Sequence, residues 1–257
     1  MPIKLSLDSL SHYSHEKHLE LIANLAETIS KKYMNFFTYN NCEITYTSSD
    51  LLPSFPSQTF IKNMSAILFV NLKSKEALLI SGAVFSTQVT KGLGLVLSQP
   101  EWDIFPKQGD VGKLVIHAFS LYAQIIKTDS ASSKFVQILS LLEFLAYPTE
   151  YKNFKDVKKI IARYVIKNTN TIEYQNLLKR FEELTGKKDA DKKDIGLRTR
   201  IVHIGDRIEN LVPTLKEREA LFKELNEYVK CVINHMIEHS NLSMNEYSIE
   251  KEKLIRI

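Results

Sequence analysis

Apolar residues recur at three- and four-residue steps over most of this chain and alternate only within its first third. Over residues 15–34 the positions Leu19, Ile22, Leu25, Ile29 and Tyr33 keep helical spacing, with Lys31 and Lys32 in the last turn. Residues 43–47 alternate as a short strand, and Pro53 and Pro56 mark a loop. Residues 66–72 and 77–88 are rich in apolar and β-branched side chains. They flank Lys73, Ser74, Lys75 and Glu76, a connection of hairpin length. Residues 93–98 add a strand, with Gly92 and Gly94 allowing a bend. Residues 1–108 therefore read as a small α+β module.

Pro100, Pro106, Gly109 and Gly112 mark the boundary, and beyond it the pattern is helical throughout. The spacing predicts helices over 111–127 and 132–147, the second stopped by Pro148, then over 154–167 and 171–184, closed by Gly186. After a charged loop at 187–193, Asp194 is placed to cap a helix that Pro213 ends. In that helix Leu197, Ile201, Ile204, Ile208 and Leu211 form one stripe, expected to be buried. Thr214 caps the last helix, whose stripe is Leu221, Leu225, Tyr228, Val232 and Met236. Helices with one apolar face must pack on one another, so 109–240 reads as an all-α bundle. Residues 241–257 read as a polar tail. The fold class expected is α+β, a small mixed module followed by a helical bundle.

Charge sharpens this division. The formal net charge is +4, yet residues 1–110 hold nine Lys, no Arg and ten acids, so the excess and all seven Arg lie in residues 111–257. Between Lys152 and Arg200 fourteen basic residues face seven acids. Such an excess suits a polyanion, although a solvated helix surface accounts for it equally well when taken alone. Residues 1–18 carry neither a continuous apolar stretch nor a small-residue cleavage signature, and the longest apolar runs fall far short of about 20 residues. Cys42 and Cys231 stand alone, without a CxxC pair, which fits neither a disulfide framework nor a zinc ribbon. The expectation is a cytoplasmic protein with no membrane segment, no metal and no cofactor.

The candidate chemistry lies opposite the motif stripe, where Thr199, His203, Asp206 and Asn210 fall together. Arg200 and Arg207 sit on one shoulder and Arg198 on the other. Imidazole exchanges protons near neutral pH, so His203 suits general acid–base work, and among guanidinium groups it makes a plausible site for phosphodiester chemistry. Arg198 suits the scissile phosphate and the added charge of a pentavalent transition state. Thr199, one turn before His203, can orient it. Arg200 and Arg207, with Lys192 and Lys193 of the charged loop, are candidates for binding the phosphates of a polyanion, RNA if the resemblance given below holds. Each also has a plainer reading as a solvated surface side chain, and for Arg200 as a stem covering the core edge. Glu143 follows the stripe Phe135, Ile138, Leu139, Leu142 on its helix and needs a partner where it is shielded, with Arg198 or His203 in reach. One geometric problem stands. By the regular helical step Arg198 lies ~140° around the axis from His203, so a second copy of the motif helix is expected to bring the groups together.

The phrase RTRIVHIGD, with its Arg198-x4-His203 spacing, resembles the Arg-x(4–6)-His signature of the HEPN superfamily, most closely the anti-phage ApeA-like branch. The run KFVQILSLLEFL at 134–145, an acid interrupting an apolar helix, is similar to that branch's upstream helix. The resemblance spans roughly residues 111–240. It implies a helical bundle that pairs about a two-fold axis, and a metal-independent endoribonuclease. Such an enzyme cleaves single-stranded RNA by 2′-hydroxyl attack, leaving 2′,3′-cyclic phosphate and 5′-hydroxyl ends. It further implies a toxin or phage-defence role and a cognate antitoxin or regulatory protein as partner. Thr199 departs from the family, where Asn, Asp or His is usual after the motif Arg. That departure keeps open a non-catalytic RNA-binding or assembly module. His235-Met236-Ile237-Glu238-His239 matches H-x-x-E-H, but a zinc peptidase needs a third ligand and few residues follow. His12, His15 and His18 drift around a helix, and Gly92-Leu93-Gly94 lacks the rest of a phosphate loop.

Overall fold

The computed structural model describes residues 15–46, 66–70, 77–81, 104–193 and 195–256. Most of these are helical. Two compact units divide the chain: Met1–Met34 with Pro53–Gln99, and Asn35–Leu52 with Pro100–Ile257. The expected border near 108 thus falls at 99/100, and residues 35–52 belong with the bundle.

In the first unit the strands among the described residues are β1, Ala66–Val70, and β2, Ala77–Ser81. They pair antiparallel, Ala66 opposite Ser81 and Val70 opposite Ala77, as the two apolar runs predicted. The expected strand at 93–98 and the other residues of this region lie outside the described residues, so the mixed module of the sequence reading is not shown.

Helix α1, His15–Asn41, runs a turn and more past its expected end, and Lys31 and Lys32 are therefore not in its last turn. Its final turns in the second unit bury Phe36 and Tyr39. The predicted strand at 43–47 is a correction: Cys42–Tyr46 is irregular as far as it is described. Its backbone finds side chains instead of a neighbouring strand. Asn226 Oδ1 accepts from Ile44 N at 3.2 Å and from the Tyr122 hydroxyl at 2.7 Å. Lys134 Nζ donates to the Thr45 carbonyl at 3.1 Å. Buried polar backbone must be paired, and here buried side chains do the pairing.

The bundle comprises α2 (Asp110–Ile126), α3 (Ala131–Ala146), α4 (Phe154–Val165), α5 (Ile172–Thr185) and α8 (Leu215–Glu238). Between α5 and α8 lie α6 (Leu197–Thr199), a π-helical turn at Arg200–Ile204, and α7 (Ile208–Leu211). Helix α8 is central, packing on α2, α3 and α4. Its stripe Leu221, Leu225, Tyr228, Val232 and Met236 is buried as the spacing required. A reciprocal box of Thr214 and Glu217 starts it, while Ser130 and Thr171 cap α3 and α5 through their hydroxyls.

Residues 241–257, read as a polar tail, require a second correction. Helix α9, Met244–Arg256, packs on α4 and α2 and buries Tyr247 completely. The Tyr247 hydroxyl meets that of Tyr164 at 3.0 Å and His235 Nδ1 at 3.3 Å. One aromatic residue in an otherwise charged segment holds the helix down, and it is too sparse a signal for a periodicity argument.

Candidate functional site

The motif segment is not the single helix that its stripe suggested. After the three residues of α6 the backbone widens into the π turn, and Gly205 ends it at φ 83°, a left-handed conformation. A chain with two opposed requirements explains the break. Ile208 is fully buried and Leu197 and Ile201 pack against the core, whereas Ile204, expected in the same stripe, is 60% exposed. The stripe changes direction at the glycine. Gly205 N and Asp206 N both donate to the Arg200 carbonyl, the latter at 3.1 Å, and Arg200 Nε donates to Asp206 Oδ2 at 2.7 Å. Arg200 and Asp206 therefore close the turn on itself. A side chain at Gly205 would meet nothing within 4 Å, so its backbone angle, not a close approach, is what requires glycine there.

The segment is stitched to the end of α5. Ile195 N and Gly196 N donate to the Lys187 carbonyl at 2.9 and 3.1 Å, and the Thr199 hydroxyl donates to the Thr185 carbonyl at 2.9 Å. Thr199 is therefore a tie to α5, not an orienting group for His203. Gly196 is buried in this junction; a Cβ there would lie 2.6 Å from the Thr185 carbonyl oxygen and 2.7 Å from the amides of Gly186 and Lys187. Gly196 also precedes the helix without a side-chain cap. Asp194, expected to cap it, lies outside the described residues.

Arg198 reaches across to α3, where its Nη1 donates to Glu143 Oε1 at 2.6 Å. Of the two partners open to Glu143, it is the guanidinium that the structure supplies. Both side chains are half-buried, which makes the pair firmer than a surface ion pair, and the charge-assisted bond orients the guanidinium plane. Its carbon also stands 5.8 Å from the centroid of the Phe154 ring. No other Arg198 nitrogen is bonded among the described residues, which leaves donors for an anion. His203 is exposed and makes no hydrogen bond among the described residues, so its ring nitrogens are open to a ligand.

Arg198 and His203 nonetheless share one cleft of 660 Å³. The π turn is the reason. Its i→i+5 bonding subtends a smaller angle per residue than an α-helix, so the two side chains are closer around the axis than the ~140° of a regular helix. The second chain invoked to close that gap is not needed to place both on one cleft. Tyr151, just before α4, and Phe154, Lys155 and Lys158 of its first turns line the same cleft with Glu182. Lys158 is paired with Glu182 at 2.7 Å, whereas Lys155 has no partner among the described residues.

None of the four RNA-binding candidates lines this cleft. Arg200 is engaged with Asp206. Arg207 borders a separate groove of 500 Å³ with Ser132, Val136 and Asp206, on the far side of Val202. Lys192 and Lys193 are exposed in the loop, which Asp189 shapes by accepting from Lys193 N at 2.9 Å. The cations of the cleft come instead from YKNFKDVKK at 151–159. That phrase opens the basic excess noted in the sequence, and its interleaved aromatics were the overlooked signal.

Elsewhere the basic excess is largely paired: Arg180 grips Glu224 through Nε and Nη2 at 2.9–3.2 Å, and Lys187 meets Glu183 at 3.0 Å. His235 and His239 stack at 4.3 Å, and His239 Nδ1 bonds the His235 carbonyl at 2.8 Å, which requires its proton there. Burial, with the neighbouring His239, pushes the His235 pKa down to about 4. Glu238 is exposed, and among the described residues no three His, Cys, Asp or Glu side chains group as metal ligands. Among them, too, no helix is long and apolar enough to cross a membrane. Compared with models of protein families, with curated proteins and with solved structures, the chain matches none.

Proposed function

We propose that the chain is a metal-independent HEPN-type endoribonuclease acting on single-stranded RNA. The observation that carries this reading is the cleft in which an exposed imidazole and an oriented guanidinium stand together among lysines. In it His203 takes the 2′-hydroxyl proton or returns one to the 5′-oxygen, while Arg198, held by Glu143, meets the phosphate as its negative charge grows. The products are a 2′,3′-cyclic phosphate and a 5′-hydroxyl. An unpaired strand suits in-line attack because its sugar and phosphate can rotate into line.

A homodimer through the motif segments belongs to the proposal, supported by Val202 and Ile204, which are 48% and 60% exposed on the motif turn. So do a cytoplasmic toxin or phage-defence role, a regulatory protein partner, and a small α+β N-terminal module that senses or regulates. These rest on the resemblance of the motif.

The test is incubation of the purified protein with mixed single-stranded RNA in EDTA. The parent cuts, and His203→Ala lowers the rate by about 10²–10⁴-fold with an unchanged melting temperature. A pure His203→Ala protein that cuts at the parent rate removes the assignment. One observation favours a second reading, a non-catalytic RNA-binding or assembly module. Thr199, already a departure from the family, is occupied with the Thr185 carbonyl, so it gives His203 no support. That module would retard RNA on a gel and leave it whole.

A further inference from the structure

The cleft that His203 lines contains a side chain that neither packing nor charge pairing accounts for. Tyr151 is 86% exposed, in the irregular stretch between Pro148 and α4, yet it lines the same cleft as Arg198 and His203. Its neighbour Phe154 is committed elsewhere: its ring packs 6.2 Å from that of Phe181 and stands beside the Arg198 guanidinium. Tyr151 is thus the aromatic ring of the cleft that remains free. On α4, Lys155 and Lys158 stand about one turn apart on the same side of the helix and line the same cleft, Lys158 paired with Glu182 and Lys155 without a partner among the described residues.

An aromatic ring with most of its surface in water, flanked by cations in a groove, has the composition of a single-strand nucleic-acid site. Stacking takes apolar area from water on both ring and base, and the lysines track the phosphates. A paired base presents no face to such a ring, because its neighbours in the duplex already cover it. We propose that Tyr151 is the platform on which an unpaired base of the RNA stacks, with Lys155 holding an adjacent phosphate, so that the linkage lies against Arg198 and His203. Every base has a face, so the site tolerates sequence. Purines, with the larger face, bind more tightly than pyrimidines.

The inference rests on the nuclease reading, and the experiment separates the two. Binding of 5′-labelled single-stranded oligoadenylate and oligouridylate to the full chain is followed by fluorescence anisotropy in EDTA, and cleavage is followed on the same oligonucleotides. Tyr151→Ala weakens binding by about 5- to 100-fold, and Tyr151→Phe, which keeps the ring, binds like the parent. Tyr151→Trp supplies a reporter beside the native Trp102: its added emission is quenched as oligoadenylate saturates the site. Because the ring is exposed, none of the three shifts the melting temperature. If the parent binds and cuts while Tyr151→Ala binds and cuts equally well, the stacking platform is wrong and the nuclease stands. If the parent neither binds nor cuts, both fall.

Discussion

A single backbone angle decides the shape of the motif. At φ 83° Gly205 reverses the chain after the π turn, and only glycine adopts that angle without a steric cost. Nothing crowds its missing side chain, so substitution acts through the backbone alone. Gly205→Ala is expected to destabilise the protein by about 1–2 kcal/mol, and Gly205→Asn by less, since asparagine tolerates left-handed geometry. Urea denaturation measures both; an alanine variant as stable as the parent would mean the turn is not left-handed. The sequence displayed this glycine inside a helical pattern, where it reads as tolerated, because apolar spacing continues undisturbed from Leu197 to Leu211. Periodicity reports which residues prefer burial and is blind to a widened turn between them. Arg198, His203 and Glu143 were legible from motif and stripe. The contacts of Thr199 with the Thr185 carbonyl, fourteen residues back, and of Arg200 with Asp206, across the π turn, were not legible, because a helical wheel shows neither.

The motif segment is held by α5 through its backbone and by α3 through the Arg198–Glu143 pair. Its contacts are made at the closest backbone approach in the site, Gly196 against Thr185, Gly186 and Lys187. A methyl group there has no room, and the atoms in its way are backbone that cannot rotate aside. Gly196→Ala should therefore push α6 and the π turn away from α5, moving Arg198 and His203 relative to α4. Misplacement of about 1 Å costs on the order of 100-fold in rate. The expected result is RNA cleavage reduced by that order with the far-ultraviolet circular dichroism of the bundle retained. Full activity would show that the junction does not set the site. At this scale the sequence was generous for α2 to α5 and α8, whose capping residues and stripes agree with one another. It misled at residues 43–47, where alternation without a strand partner meant a segment pinned by side chains, and at α9, where Tyr247, the one fully buried side chain among the described residues, is too sparse a signal.

For the whole molecule, pH enters through the buried contacts of α8 with α9. His235 is packed against Tyr164, Tyr247 and His239, with Lys167 near and Glu250 opposing them. Its folded pKa of about 4 lies below the ordinary 6.5, so the unfolded chain takes up a proton before the folded one does. The sign follows: this stabilisation is complete above about 6.5 and is lost as the pH falls toward 4. Thermal melts at pH 7 and pH 5 should show a larger fall for the parent than for His235→Gln, and equal falls would discount the histidine.

The ribbon from Phe36 to Tyr46 carries a further consequence, one of timing. Its polar atoms wait for Tyr122, for Lys134, for Asn226, 182 residues beyond Ile44, and, at the Tyr39 hydroxyl, for Asn234. At a ribosomal pace of about 5–20 residues per second, the Asn226 amide emerges roughly 10–40 s after the isoleucine it must meet. The bundle therefore cannot close around this stretch as it is made: its backbone stays unsatisfied until the helix carrying Asn226 has been synthesised.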